Sequence, residues 1–200
     1  MKKLLVATKN KGKIKEFAEM LADLQVEWLS LDDVDITFDV EETGTTFREN
    51  ALLKAEAYAK ASGLLTIADD SGLVVDVLDG APGVYTARYG GAGLTAVQRY
   101  QHLLKNIETV TGDSRTARFR CVILFVDSEG NLLAESDGVC EGMIATEPAG
   151  EGGFGYDPVF YLPEHDKTMA QLPSETKHQI SHRGRALQQL VPKMREILSH

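Results

Sequence analysis

The chain is poor in several things, and each shortage excludes a class of protein. Two cysteines in 200 residues are too few for a disulfide scaffold or a thiolate-ligated metal centre. Both, Cys121 and Cys140, fall in strand-like segments, where a buried reduced thiol is the ordinary state, so a cytoplasmic location is expected. Positive charge is scarce: 21 lysines and arginines face 30 acids, a net charge of −9. No broad basic field is available to neutralise many phosphates, and nucleic acid is not an expected partner. Long hydrophobic runs are missing as well. The first, Leu4 to Ala7, stops at Thr8-Lys9-Asn10, too short for a signal segment or a bilayer span, so no membrane role is expected. No internal repeat, low-complexity tract or long linker is found, and no Cys–His or Ser–His–Asp spacing supports covalent catalysis.

What is present is an ordinary globular composition, 43% hydrophobic and 26% charged, long enough for one domain, bilobed or not, with a sizeable core. The pattern is organised around Ile67-Ala68-Asp69-Asp70-Ser71-Gly72-Leu73. Apolar residues lead in and out, which reads as a buried strand ending in two carboxylates, a tight Ser-Gly turn and a second strand. Adjacent acids at a strand end repel and lose solvation, and a divalent cation is one way to offset that. A solvated hairpin turn is the plainer alternative.

The flanking segments supply complementary chemistry. Leu4 to Ala7 reads as an interior strand feeding the polar loop Thr8-Lys9-Asn10-Lys11-Gly12-Lys13 and then a helix carrying Ile14, Phe17, Leu21 and Leu24. Free backbone N–H groups and the lysines make such a helix start a ready anion site, or else a solvated basic loop. It is not a Walker A loop, because Ala7 and Ile14 stand where that pattern needs glycine and Ser/Thr. Thr46 and Glu49 form a capping box for a helix that ends at Gly63 and places Asn50 and Lys54 on one flank. Glu41 and Glu42 precede it, either as plain first-turn charge or as partners of Asp69 and Asp70 around a metal. Strand-like segments from Arg118 to Asp127 and from Leu132 to Val139 form a hairpin. The Gly150–Gly155 run matches G-x-G-x-x-G, but Tyr156-Asp157-Pro158 follows and opens no crossover helix, so it is no dinucleotide fingerprint. It frames one aromatic, Phe154, able to stack on a planar ligand with Asp157 accepting beside it; anchoring in the core is the alternative. Lys177, His182 and Arg183 cluster at the start of a last helix, which Ser181 caps and Pro192 should kink. Cations there oppose the helix dipole, a cost acceptable where an anion or polar ligand is to be bound. Together these pieces suit a nucleotide with a polyphosphate tail and Mg2+, with water as nucleophile.

Several motifs in order, Thr8 to Lys13, Glu41-Glu42-Thr43-Gly44 with Phe47 to Ala51, Ala68 to Leu73, Gly80 to Gly83 with Thr86 to Tyr89, Gly152 to Pro158 and Ser181 to Gly184, make the chain resemble the inosine/xanthosine triphosphate pyrophosphatase family nearly end to end. Lys9 and Thr86 depart from the usual pattern in a minor way. The resemblance implies hydrolysis of non-standard purine nucleoside triphosphates (ITP, dITP, XTP) to monophosphate and pyrophosphate. It implies an α/β fold, residues 1–200 forming one bilobed domain: a long twisted mixed sheet spans two lobes with flanking helices and a cleft between them, and the usual assembly is a homodimer. By the same resemblance Thr8, Lys9, Asn10, Lys11, Gly12 and Lys13 would hold phosphates with Lys54. Glu41 or Glu42 would bind Mg2+ with Asp70, the proton acceptor, beside Asp69, and Ser71 would touch the substrate. Phe154, Gly155, Tyr156, Asp157, Lys177, His182 and Arg183 would hold base and sugar, with Arg183 expected to donate to the keto group of the base. A Maf-like pyrophosphatase lacks the full Ser-His-Arg and Phe-Gly-Tyr-Asp set, and a non-catalytic binding module has no need of two adjacent acids.

Overall fold

The computed structural model describes residues 2–199. Seven strands form one mixed, open sheet in the order β2-β1-β3-β4-β5-β6-β7: β1 Lys2–Val6, β2 Val26–Leu29, β3 Leu65–Val75, β4 Thr116–Val126, β5 Leu132–Ile144, β6 Phe160–Leu162 and β7 Lys167–Thr168. β1 runs parallel to β2 and β3, while β5, β6 and β7 pair antiparallel. The α-helices among the described residues are α1 Lys11–Met20, α2 Phe47–Ser62, α3 Ala96–Asn106, α4 Ser174–Ile180 and α5 His182–Leu198.

The chain divides into two compact units. One holds the chain up to Asp70, Cys121–Gly138 and the chain from Arg183; the other holds Ser71–Arg120 and Val139–His182. In the first unit the two-residue period of a strand explains the core. Leu4, Val6, Ile67, Cys121, Ile123 and Phe125 pack on one face with Phe17 of α1, the adjoining Leu21, and Leu187, Leu190 and Met194 of α5. Leu5, Ala7, Ala68, Leu124 and Val126 pack on the other with Ala51, Ala55, Tyr58 and Ala59 of α2. With both faces covered, the strands need continuous apolar runs rather than alternation, as Leu4 to Ala7 shows. The small residues of α2 let it lie close to the sheet. Its start is the expected capping box, Thr46 with Glu49, and its end is Gly63 in the left-handed region, at φ 68°.

The second unit is built on Leu73 and Val75 of β3, Leu103 of α3 with the adjoining Ile107, Phe119 of β4, Ile144 of β5, and Tyr156, Val159, Phe160 and Met169. It contains an uncommon staple. The Arg115 guanidinium, on a residue only 5% exposed, has no carboxylate partner among the described residues; it donates to four backbone carbonyls, those of Ile107, Val110, Ile144 and Ala145, at 2.7–3.0 Å.

Two sequence expectations change. β3 does not turn at Ser71-Gly72; it runs straight through to Val75, and the chain turns only at Asp76–Leu78. β3 lies between β1 and β4 in the sheet; β1 pairs with it over Leu65–Ile67, and beyond Ser71-Gly72 the Leu73 amide donates to the Thr86 hydroxyl at 2.9 Å. α5 passes Pro192 without interruption. A proline removes one N–H, and the packing of Leu187, Leu190 and Met194 holds the helix across that gap.

The Arg115 staple gives a stability prediction. Arg115→Met keeps much of the apolar stem but strands several buried carbonyls, each costing about 1–3 kcal/mol unpaired. Urea unfolding should show a loss of about 3 kcal/mol; a loss under about 1 kcal/mol would mean the carbonyls need no such donor.

Candidate active site

The central observation follows from strand geometry. Successive side chains of β3 point to opposite faces, so Asp69 lies on the side of Ile67, toward α1 and α5, and Asp70 on the side of Ala68, toward α2. The two acids therefore do not share one environment. Each meets its own cations.

On the α1/α5 side, Asp69 is fully buried. Its Oδ2 accepts from Lys13 Nζ at 2.9 Å and from Arg183 Nη2 at 2.9 Å, with Cys121 Sγ at 3.7 Å. The Arg183 guanidinium lies over the Phe17 ring and donates through Nη1 to Glu16, which is itself buried on α1 three residues after Lys13. Burial alone would raise the pKa of Asp69, but the charges of Lys13, Arg183 and Lys54 overcome it and hold the carboxyl far below the usual carboxylate range. Burial pushes the Cys121 thiol up, and the Asp69 charge adds to that, so it stays protonated.

On the α2 side, Lys54 Nζ sits between two carboxylates, 2.6 Å from Glu42 Oε1 and 3.2 Å from Asp70 Oδ1. Here the balance is reversed. Burial raises the pKa of Asp70, the charges of Glu42 and Asp69 reinforce that, and Lys54 and Lys13 only partly offset it. Lys54 would be lowered by burial, but Asp70, Asp69 and Glu42 raise it, so it remains an ammonium. Adjacent acids with pKa values pushed apart are the arrangement from which one fixed charge and one proton acceptor are made.

The phosphate-loop residues are placed with less freedom than expected. Asn10 caps α1, its Oδ1 accepting from the amides of Gly12 and Lys13, and the hydroxyl of Thr8 accepts from the Asn10 amide. The N–H groups expected to be open for an anion are thus partly taken by the cap. Lys9 is bound to Asp39 at 2.7 Å and to the Thr37 carbonyl, whereas Lys11 is exposed. Of the loop lysines, Lys13 reaches the Asp69–Asp70 pair. Glu41 is exposed and stands outside the Lys54 group, and Ser71 is half-buried on β3.

The second unit carries a separate group. Asp157 Oδ2 accepts from Lys177 Nζ at 2.7 Å and from the Phe154 amide at 2.8 Å, and Lys177 Nζ lies 5.0 Å from the Phe154 ring centroid. The glycines make this loop feasible. Gly153 has φ 72°, and a Cβ there would fall 2.0 Å from Asp157 Oδ2; Gly155 has φ 64°. The Phe154 ring is half-buried, and His182, 7% exposed, stacks on Phe119 at 4.7 Å. Tyr156 is part of the core and donates its hydroxyl to the Thr86 carbonyl, a structural task.

Arg183 was expected to donate to a base. It is 1% exposed and its guanidinium is committed to Asp69 and Glu16, so its surroundings support holding Asp69 rather than facing a base. The dipole cost of a cation at the start of α5 is met by those two carboxylates. Glu16 was missed from sequence, and Cys121 was read as a buried thiol with no link to the acidic pair. A lone acid next to Phe17 on the apolar stripe of α1 was the available signal.

The fold and these groups define an open-sheet α/β protein with paired ammonium–carboxylate groups on both faces of one strand. The chain belongs to the Ham1 family, whose family model matches residues 4–193. It is 51% identical over 198 residues to a Geobacillus kaustophilus protein named dITP/XTP pyrophosphatase, covering 99% of this chain and 97% of that one. A Listeria monocytogenes protein of the same name is 48% identical over the same spans. Among solved structures, a HAM1 protein from Coxiella burnetii matches with TM-score 0.88 and 42% identity, covering 98% of this chain and all of that one (100%).

The opposed environments predict opposed effects on stability in metal-free protein at neutral pH. Asp69→Asn breaks a buried ion network and should cost about 3–5 kcal/mol. Because the folded pKa of Asp69 is depressed, its contribution is present above the unfolded carboxyl pKa of about 3.9 and fades as pH falls below it. Asp70 has the opposite sign: a raised folded pKa means that ionisation costs stability above it, so Asp70→Asn should leave the melting temperature equal or higher. Melting curves of both variants from pH 3 to pH 8 check this, and a lower melting temperature for Asp70→Asn at pH 7 contradicts it.

Proposed function

We propose that the chain hydrolyses non-standard purine nucleoside triphosphates (dITP, ITP and XTP) to the monophosphate and pyrophosphate, clearing them from the nucleotide pool. The observation that carries this reading is the pair of ammonium groups, Lys13 and Lys54, held against adjacent carboxylates of opposed acidity. The names of relatives at 48–51% identity support the substrate class.

Such chemistry calls for a divalent cation, and the residues present fit one. Asp70 Oδ2 is buried with no partner among the described residues, and Glu42 shares Lys54 with Asp70. Among the described residues no group of three or more His, Cys, Asp or Glu side chains is arranged to hold a metal. Mg2+ does not need one: it binds through one or two carboxylates and takes its other oxygens from water and phosphate. Glu42 and Asp70 would hold it, and Glu41, exposed, is set aside. Bound there, the ion would neutralise phosphate charge as the transition state forms.

The protein's own groups do the rest. Lys13 and Lys54 place positive charge at the phosphates. Asp70 takes the proton of the attacking water, a role its raised pKa suits. The water oxygen bonds to the α-phosphorus, the bond to the bridging oxygen breaks, and pyrophosphate leaves. Asp69, held ionised, keeps Lys13 in place. In the second unit Phe154 stacks on the base, and Lys177 and Asp157 supply a donor and an acceptor beside it. We further propose a cytoplasmic homodimer, a location supported by two buried cysteines that remain thiols. Among the described residues no helix is long and apolar enough to cross a membrane.

The test is pyrophosphate release from ITP, dITP and XTP with Mg2+, against ATP. Turnover of ATP equal to that of ITP would overturn the reading. Asp70→Asn should lower turnover at least about a hundredfold in folded protein, the scale of a positioned base. Gly153→Ala, which drives a Cβ into Asp157, should raise KM for ITP more than it lowers kcat, because it disturbs the base-holding loop and not the phosphate chemistry. A kcat-only effect would place that loop elsewhere in the reaction.

A further inference from the structure

Asn50 on α2 is 0% exposed, yet nothing in the chemistry above uses it. Its Oδ1 accepts from the Gly44 amide at 2.8 Å, which fixes the carboxamide orientation because an N–H must face an oxygen. Its Nδ2 is buried with no partner among the described residues. A buried donor without an acceptor costs stability, and an apolar residue would avoid that cost. The oxygen therefore does something that justifies keeping the amide.

What it does follows from the neighbours. Gly44 lies two residues after Glu42, and Lys54 lies one helical turn after Asn50 on the same flank of α2. The Glu41–Gly44 segment is thus tied to one helix face at two points, Glu42 to Lys54 and Gly44 to Asn50. The approach is close enough to require glycine: a Cβ on Gly44 would fall 2.6 Å from Glu49 Cβ and 2.7 Å from Asn50 Oδ1. An acidic side chain at the end of a loop has many rotamers and loop positions to lose. Clamping its backbone removes much of that freedom before any ligand arrives.

We propose that Asn50 is a positioning residue of the cation site: its carboxamide clamps the Gly44 backbone to α2 and so sets the Glu42 carboxylate beside Lys54 and Asp70. This rests on the reading that Glu42 and Asp70 hold the divalent cation. Residues that orient a ligand from behind typically change metal affinity by about 10–100-fold when removed.

The experiment measures Mn2+ affinity of the free protein by electron paramagnetic resonance, the Mg2+ concentration giving half-maximal ITP turnover, and the melting temperature, in Asn50→Ala, Asn50→Asp, Gly44→Ala and Glu42→Gln. Asn50→Ala and Gly44→Ala should weaken Mn2+ binding and raise the Mg2+ requirement about tenfold. Asn50→Asp keeps an acceptor for the Gly44 amide and should stay near the parent value. A fall in melting temperature with unchanged metal affinity in Asn50→Ala and Gly44→Ala would make the clamp merely structural and overturn the proposal, as would Asn50→Asp behaving like Asn50→Ala. Glu42→Gln separates the two levels: if it weakens Mn2+ binding while Asn50→Ala does not, this inference alone falls; if it has no effect, the cation site itself is misassigned and both fall.

Discussion

The pleat of a single strand is the constraint on which the site depends. Because side chains alternate across β3, two neighbouring acids can be buried without sharing a dielectric or a set of counter-charges. Asp69 is given a lysine, an arginine and a thiol on the α1/α5 side. Asp70 is given one lysine, already shared with Glu42, on the α2 side. A shift of one residue in the register of β3 would exchange these environments and with them the protonation tendencies. That is why the apolar pattern around the pair, Ile67 and Ala68 before it and Leu73 after it, matters to chemistry as much as to packing.

The network around Asp69 is expensive and therefore informative. Burying Arg183, Glu16 and Asp69 together removes each from water, and an apolar cluster of similar volume is often as stable. What the ions supply in exchange is a fixed position and charge for Lys13 at the start of α1. The cations nearest the carboxylates are thus held by tertiary contacts rather than by their own loop. Thr8 and Asn10 serve the same end more cheaply, by closing the α1 N-terminus on itself. The expected cradle of N–H groups is in this way partly occupied by the cap, and Lys13 is committed to Asp69.

Much of this was legible in the sequence, for identifiable reasons. The buried strands announced themselves as continuous apolar runs, the capping box at Thr46 and the glycine at position 63 bounded α2, and the Ser128 to Asn131 turn marked the β4–β5 hairpin. The acidic pair was recognisable as a centre because charge interrupts an otherwise apolar strand. Its interpretation was not, since a turn after Ser71 and a strand through it have the same local composition, and only the neighbouring strands decide. Short elements such as β6, β7 and α4 carry too few residues for any period to be read. Arg183 shows the general limit. An arginine at a helix start is equally consistent with binding a ligand and with pairing acids from elsewhere, and Glu16 and Asp69 lie 167 and 114 residues away along the chain.

A chain of net charge −9 that handles a polyanion looks contradictory only if net charge is taken as the relevant quantity. At physiological ionic strength exposed charges are screened beyond about 8 Å, so acids scattered over the surface contribute little at a given site. Many of them are also spent locally: Asp76 and Glu141 on Arg118, Glu135 on Arg48, Asp39 on Lys9. The buried cations are screened far less, and burial strengthens their fields. On the proposed reading, what a phosphate would meet is therefore set by Lys13 and Lys54 and by whatever neutralises Glu42 and Asp70. The surplus of acid then has a selective consequence. On that reading, extended polyanions such as nucleic acids, which must contact a wide surface, would be repelled, while a single triphosphate that reaches the buried cations would not.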